Sequence, residues 1–200
     1  DVPRGRGAGQ FLLGDSLLAA PVLKKGAVRR GVWLPPGNWI DWYSGTVHRG
    51  TQDLAVEAPL GRTPLYLRAG AALFLAEPRR NAEETLRAPL ALELTVPPEG
   101  AIGGGSLFLD SGESADGSRF LLDAVVERLH GGLHLRLNRV AETYTPAQRE
   151  LDLRLPVGHR RLTVDGVRAD VHVQSLAAEG RDVSVAVARI PLSAREVLVY

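Results

Sequence analysis

The sequence predicts an all-β chain of two antiparallel β-sandwich-like domains, and three observations carry that expectation. Short apolar or aromatic runs stop repeatedly at Gly, Pro, Asn or Asp. Clean period-2 alternation fills the second half, and no amphipathic helical pattern extends beyond a short charged stretch. The expected organisation is an irregular lead-in over 1–9, a first β-domain over 10–76, a linker over 77–89 and a second β-sandwich over 90–200.

Taken in order, 1–9 is Arg/Gly-rich and reads as irregular. Gln10–Leu13 and Leu17–Leu23 are apolar without alternation around a Gly14-Asp15 turn, as expected of strands covered on both faces. Val32-Trp33-Leu34 stops at Pro35-Pro36, which lack the donors a ladder needs. Gly37-Asn38 is turn chemistry, and Trp39–Tyr43 follows as an aromatic, β-branched strand ending at Ser44-Gly45. Thr46-Val47-His48 is expected to run back against it. Leu54–Ala58 and Pro64–Arg68 complete a predicted meander around a tryptophan cluster. Residues 77–89, EPRRNAEETLRAP, are charged, lie between prolines and lack strand character, so the domain boundary is placed there.

Beyond the boundary, Leu90, Leu92, Leu94 and Val96 share one face, as do Leu133, Leu135 and Leu137, then Leu151, Leu153 and Leu155, and finally Val183, Val185 and Val187. These are predicted as half-exposed antiparallel strands. Gly131-Gly132 and Asp165-Gly166 suit tight hairpins that need positive φ. Gly103-Gly104-Gly105 is the one low-complexity tract.

The totals exclude several function classes. The chain has 200 residues, 44% of them hydrophobic, and a formal charge of +1 in which lysine occurs only at Lys24 and Lys25. Scattered arginines form neither a nucleic-acid stripe nor a membrane polybasic patch, so no nucleic acid and no membrane is expected as a partner. No run approaches the roughly 18 apolar residues of a membrane helix. Without cysteine there is no disulfide and no thiolate metal site. The chain starts at Asp1 and has no methionine, which leads us to expect a fragment.

Three ordered stretches, QFLLGDSLLAAPVL, RRGVWLPPGNWIDWYSGTV and APLGRTPLYLRAGAALFL, closely resemble the C-terminal portion of glycoside hydrolase family 31, the α-glucosidase and α-xylosidase family. The resemblance is strong over about residues 10–76. It is weaker beyond, where Leu107–Ser114 is similar to an acidic turn of the family's distal β-domain, with Phe108, Leu109 and Ser111 replacing the tyrosine, glutamate and an aspartate. The resemblance implies the proximal and distal C-terminal β-domains of a retaining glycosidase, with 1–9 leading in from its catalytic barrel. Members use one aspartate as nucleophile, in a W-x-D-M-N-E motif, and a second as acid/base, a pair of carboxylates about 5–5.5 Å apart. Neither motif occurs here. No catalytic, cofactor or metal residue is therefore assigned, no cofactor is expected, and the chain alone is expected to be inactive. The implied partners are the barrel of the same parent polypeptide and, through it, an α-linked oligosaccharide. The alternative is a free-standing carbohydrate-binding module.

Trp42 is the candidate sugar contact, being the aromatic that alternation leaves outward, while Trp33, Trp39 and Tyr43 are read mainly as core. Phe11, Leu12, Leu18 and Arg68 are the candidate barrel-docking residues. Asp110, Glu113 and Asp116 miss the spacing of a calcium loop and read as an Asx-type turn. His130 and His134 flank a hairpin and are expected to be exposed.

Overall fold

The computed structural model describes residues 9–112, 117–159 and 161–200. Nearly all of the lead-in, together with Glu113 and Asp116, lies outside the described residues. The all-β expectation holds. The chain divides into two compact units, one of 1–69 with 175–183 and the other of 70–174 with 184–200. The division differs from the expected one at both ends. Residues 71–76 were placed in the first domain, but the strand they contribute pairs with Leu90–Leu94, in the second. Residues 175–183 lie inside the expected distal domain yet pack within the first unit.

The first unit contains β1 (Phe11–Leu13), β2 (Leu17–Ala19), β3 (Arg29–Leu34), β4 (Asn38–Asp41), β5 (Val47–Arg49), β6 (Gln52–Glu57) and β7 (Leu65–Arg68). They do not form the predicted meander. One sheet runs β1-β2-β7-β4-β5, and β3 pairs separately with β6. The Pro35-Pro36 stop makes β3 and β4 leave one another, so Leu34 and Trp39 reach the same core from different sheets. Leu18, Ala20, Val32, Leu34, Trp39 and Tyr66 form that core. Trp39 is fully buried and its Nε1 donates to the Pro35 carbonyl at 2.8 Å, so the ring enters the core without stranding its N–H. Gln10 lies against β3. Its Nε2 donates to the Trp33 carbonyl at 2.7 Å and its Oε1 accepts from the Trp33 N–H at 3.0 Å, supplying the partners that a further strand would give.

The second unit is a sandwich. One face is β10-β11-β12-β18-β14-β15, comprising Ile102–Asp110, Arg119–Leu129, Gly132–Glu142, Glu196–Val199, Leu162–Val164 and Val167–Ala169. The other is β16-β17-β13-β9-β8, comprising His172–Ser175, Ser184–Pro191, Glu150–Pro156, Leu90–Leu94 and Ala72–Ala76. A single-turn helix, α1 (Ala82–Leu86), occupies the expected linker, with Asn81 Oδ1 capping it by accepting from the Glu84 N–H. Leu92, Leu122, Leu135, Leu153 and Val197 are among the fully buried side chains between the two faces.

Three corrections concern this sandwich. First, β9 is buried throughout, not half-exposed, and it pairs with β13 in parallel. Its outward Glu93 is only 5% exposed and lies 4.0 Å from the Arg154 guanidinium. Second, the core face of β17 is Ala186, Ala188 and Ile190, while Val185 and Val187 point the other way. The pairing explains the choice. Leu153 opposes Ala188 and Leu155 opposes Ala186, large against small, so valines there would overfill the layer. Third, the low-complexity tract Gly103–Gly105 lies within β10, as its second to fourth residues. A Cβ on Gly103 would lie 1.9 Å from the Gly70 carbonyl oxygen, and one on Gly105 1.9 Å from that of Ala72. Only glycine admits two backbones so close. The Asp165-Gly166 hairpin joins β14 to β15 as expected, with φ of +48° and +81°, and Asp165 Oδ1 also accepts from the Arg195 and Glu196 N–H groups.

Candidate functional site

The first unit holds the candidate sugar contact Trp42 and the candidate docking residues Phe11, Leu12, Leu18 and Arg68. β1 is the edge of its sheet, and its three side chains are left about half exposed, with Phe11 50%, Leu12 39% and Leu13 55% exposed. A strand places successive side chains on opposite faces, so among the described residues this apolar trio is only partly covered on either side. Leu18 behaves differently. It is 1% exposed in the core, so it is a packing residue and offers no surface for docking. It is directly opposite Leu12 in the β1-β2 ladder, and β2 is itself covered because β7 flanks its other edge.

Arg68 ends β7. Its Nε donates to the Asp15 carbonyl at 2.9 Å, its Nη1 to the Pro36 carbonyl at 3.3 Å, and its guanidinium lies 4.5 Å from the centre of the Trp39 ring. The planar fork thus ties two loops of the unit to β7 and closes the tryptophan core from outside. Its internal bonds occupy much of the donor set that a docking role would need.

The strand predicted over Trp39–Tyr43 ends at Asp41. Asp41 Oδ1 accepts from the Tyr43 N–H at 3.0 Å, the Ser44 N–H at 2.8 Å and the Ser44 hydroxyl at 2.9 Å, an Asx turn that ends the strand, while the Trp42 N–H still donates to the Leu65 carbonyl of β7 at 2.9 Å. Trp42 is half-buried, with the Arg181 guanidinium 3.8 Å from its ring centre. Arg181 Nε also donates to the Trp42 carbonyl at 2.8 Å, and the Asp182 N–H donates to the Tyr43 carbonyl at 2.7 Å. The aromatic face that was the candidate sugar platform is therefore taken by arginine. Tyr43 carries a second stack, with the Arg62 guanidinium 4.5 Å from its ring centre, and Arg62 also reaches the Gly180 carbonyl at 3.1 Å and Asp182 at 3.3 Å.

Beside this turn is a cavity of about 360 Å³, lined by Asp41, Tyr43, Glu57, Arg62, Tyr66 and Asp182, with Val56, Pro59 and Pro64 as its apolar wall. Tyr66 stands opposite Asp41 in the β7-β4 ladder. Its ring is 1% exposed and edge-on to His48. Burial first, and the Asp41 carboxylate second, push its phenol up to about 12. Tyr43 is raised too, chiefly by burial, against the lowering effect of Arg62. Sequence reading missed this cavity because Asp182 is supplied from a distant segment. The available signal was local: Asp41 lies two residues after Trp39, and Tyr66 two before Arg68, so each pair shares a strand face.

The other candidates are dispersed. Asp110 Oδ1 accepts from the Gly112 N–H at 3.0 Å, as an Asx turn requires. His130 is exposed at the hairpin tip. His134 is not exposed as expected: its side chain is 15% accessible on β12, with Nε2 2.7 Å from Glu196 Oε1 on the neighbouring strand.

Residues 6–73 match the family model described as the glycosyl hydrolase family 31 C-terminal domain. A stretch of 74 residues is 34% identical to α-glucosidase 2 of Bacillus thermoamyloliquefaciens, covering 37% of this chain and 9% of that protein. Among solved structures, the family 31 α-xylosidase of Xanthomonas citri matches at 28% identity and a TM-score of 0.61 over 74% of this chain and 16% of the other. A family 31 dextranase of Flavobacterium johnsoniae shares the fold at a TM-score of 0.81 and 23% identity, over 96% of this chain and 26% of the other. The chain thus spans about a tenth of the curated relatives' length.

Proposed function

We propose that this chain, whose residues 6–73 match the C-terminal domain of glycoside hydrolase family 31, serves a retaining α-glucosidase-type hydrolase of that family as non-catalytic scaffolding that braces a catalytic barrel of the same polypeptide. The observation that carries the reading is β1. Its three apolar residues are left about half exposed at the sheet edge, immediately after the region that leads in from the barrel in this reading. Fully burying a leucine or phenylalanine is worth about 1.5–3 kcal/mol. With roughly half of each side chain still to be covered, the trio offers about 2–4 kcal/mol before association costs, which a barrel tethered in the same chain scarcely incurs. Phe11 and Leu12 are the contacts of this interface. Leu18 supports it from the core side by fixing β2, and Arg68 by locking β7 to the loops around it.

Chemistry then resides on the barrel, where two carboxylates flank the scissile bond. The substrate is an α-linked oligosaccharide reached through the barrel. The test is hydrolysis of an aryl α-glucoside and an aryl α-xyloside by the purified 200-residue chain and by the polypeptide extended in frame upstream. The proposal expects turnover only from the extended protein. Turnover by the chain alone, abolished by replacing an acid within it, would overturn the reading.

A further inference from the structure

We propose that the cavity between β4, β6 and β7 is a binding pocket for a single neutral pyranose unit. Its size comes first. About 360 Å³ is the low end of small-ligand pockets and suits one ring, not a chain of them. Charge comes next. Three carboxylates line it, but Glu57 lies 2.8 Å from the Arg29 guanidinium and Asp182 lies 3.3 Å from that of Arg62. With those two paired, Asp41 leaves about one net negative charge at the cavity, which disfavours a free anion. Among the described residues no group of three acidic or histidine side chains is placed to hold a metal ion.

What remains is hydrogen-bonding capacity. Asp41 spends one carboxylate oxygen, Oδ1, on its own turn, and Oδ2 accepts from no described donor. Opposite it in the ladder, Tyr66 is almost wholly buried, yet its hydroxyl makes no hydrogen bond among the described residues, and it lines the cavity. The hydroxyl is not among the buried side-chain atoms left without a partner, so it opens to the cavity, where a ligand hydroxyl can take the place of water. The raised pKa keeps that phenol a donor at all ordinary pH. An unspent carboxylate oxygen beside an unspent phenol O–H offers an acceptor and a donor side by side, the complement of vicinal sugar hydroxyls, each of which both donates and accepts. Val56, Pro59 and Pro64 face the apolar C–H surface of such a ring.

The choice of glucosyl probes rests on the function proposed above, but the binding test needs no barrel, so failure here leaves that reading standing and the converse also holds. Glucose and maltose are titrated into the 200-residue chain carrying ¹³C-labelled tyrosine rings. Of the four tyrosines, the signals of Tyr43 and Tyr66 should shift saturably in the millimolar range while those of Tyr144 and Tyr200 stay fixed. Tyr66→Phe, which keeps the ring and loses only the hydroxyl, should weaken binding about tenfold, the worth of one good hydrogen bond. Asp41→Asn, which keeps the turn acceptor, should weaken it similarly. Absence of saturable shifts, shifts confined to Tyr144 or Tyr200, or a preference for glucosamine over glucose would each overturn the proposal. The unsubstituted protein decides the first two, so a variant that misfolds does not shelter it.

Discussion

Replacing Arg181 with alanine removes two interactions at once from the turn that carries Trp42. Arg181 is 5% exposed, its guanidinium lies 3.8 Å from the Trp42 ring centre, and its Nε donates to the Trp42 carbonyl. A desolvated cation–π stack is worth about 2 kcal/mol. A hydrogen bond from a charged donor adds about 1.5–3 kcal/mol. Since the two share one side chain they do not simply add, and about 3 kcal/mol is the expected loss. The assay is selective because Trp33, Trp39 and Trp42 are the only tryptophans and all lie in the first unit. Intrinsic fluorescence during urea unfolding therefore follows that unit alone. With a slope near 1 kcal/mol per M for a unit this small, the midpoint should fall by roughly 2–3 M. Arg181→Lys retains charge but not the planar fork, and should recover less than half of the loss. A midpoint within about 0.3 M of the parent would refute the claim that residues 175–183 are an integral part of the first unit.

Further outcomes follow from the same geometry. Gly105→Ala, whose Cβ would meet the Ala72 carbonyl at 1.9 Å, should destabilise the second unit by more than about 3 kcal/mol or prevent folding, read by the far-UV circular dichroism melt. Leu18→Ala should cost the first unit about 2–5 kcal/mol in urea unfolding, whereas Leu12→Ser, at a bare edge, should cost under about 1 kcal/mol and reduce self-association measured by light scattering. In alkali, Tyr66 ionises near 10 when unfolded but near 12 when folded. Its contribution is therefore complete below pH 10 and is lost as pH rises to 12, and Tyr66→Phe should flatten the decline of the urea midpoint over that window.

Much of this architecture was legible in the sequence where local chemistry alone decides it. Period-2 leucines placed β12 and β13 correctly because one face of each meets the core and the other meets water. Asp165-Gly166 was legible because positive φ at two successive residues is a backbone demand that few residue pairs meet. Failures came where the determinant was distant. Alternation cannot say that β9 is covered on both faces, nor that β17 turns its alanines inward because Leu153 and Leu155 stand opposite them. A run of three glycines looks the same whether it is slack or squeezed between backbones. In the candidate site, the apolar edge at Phe11 and Leu12 was anticipated, but Leu18 was grouped with it since a continuous apolar run gives no clue to which side is filled. Trp42 was expected outward, and its stacking partner lies 139 residues away.

The central claim, that β1 is the edge covered by a catalytic barrel of the same polypeptide, is tested most directly by hydrogen–deuterium exchange at Phe11, Leu12 and Leu13. The amides are compared in the 200-residue chain and in the polypeptide extended in frame upstream. An edge strand exchanges readily while its outer side is open and slows when another element packs against it. The account predicts at least tenfold slower exchange at these residues in the extended protein, with the Leu18 amide, already inside the sheet, changing far less. Equal exchange at Phe11–Leu13 in both proteins would contradict it.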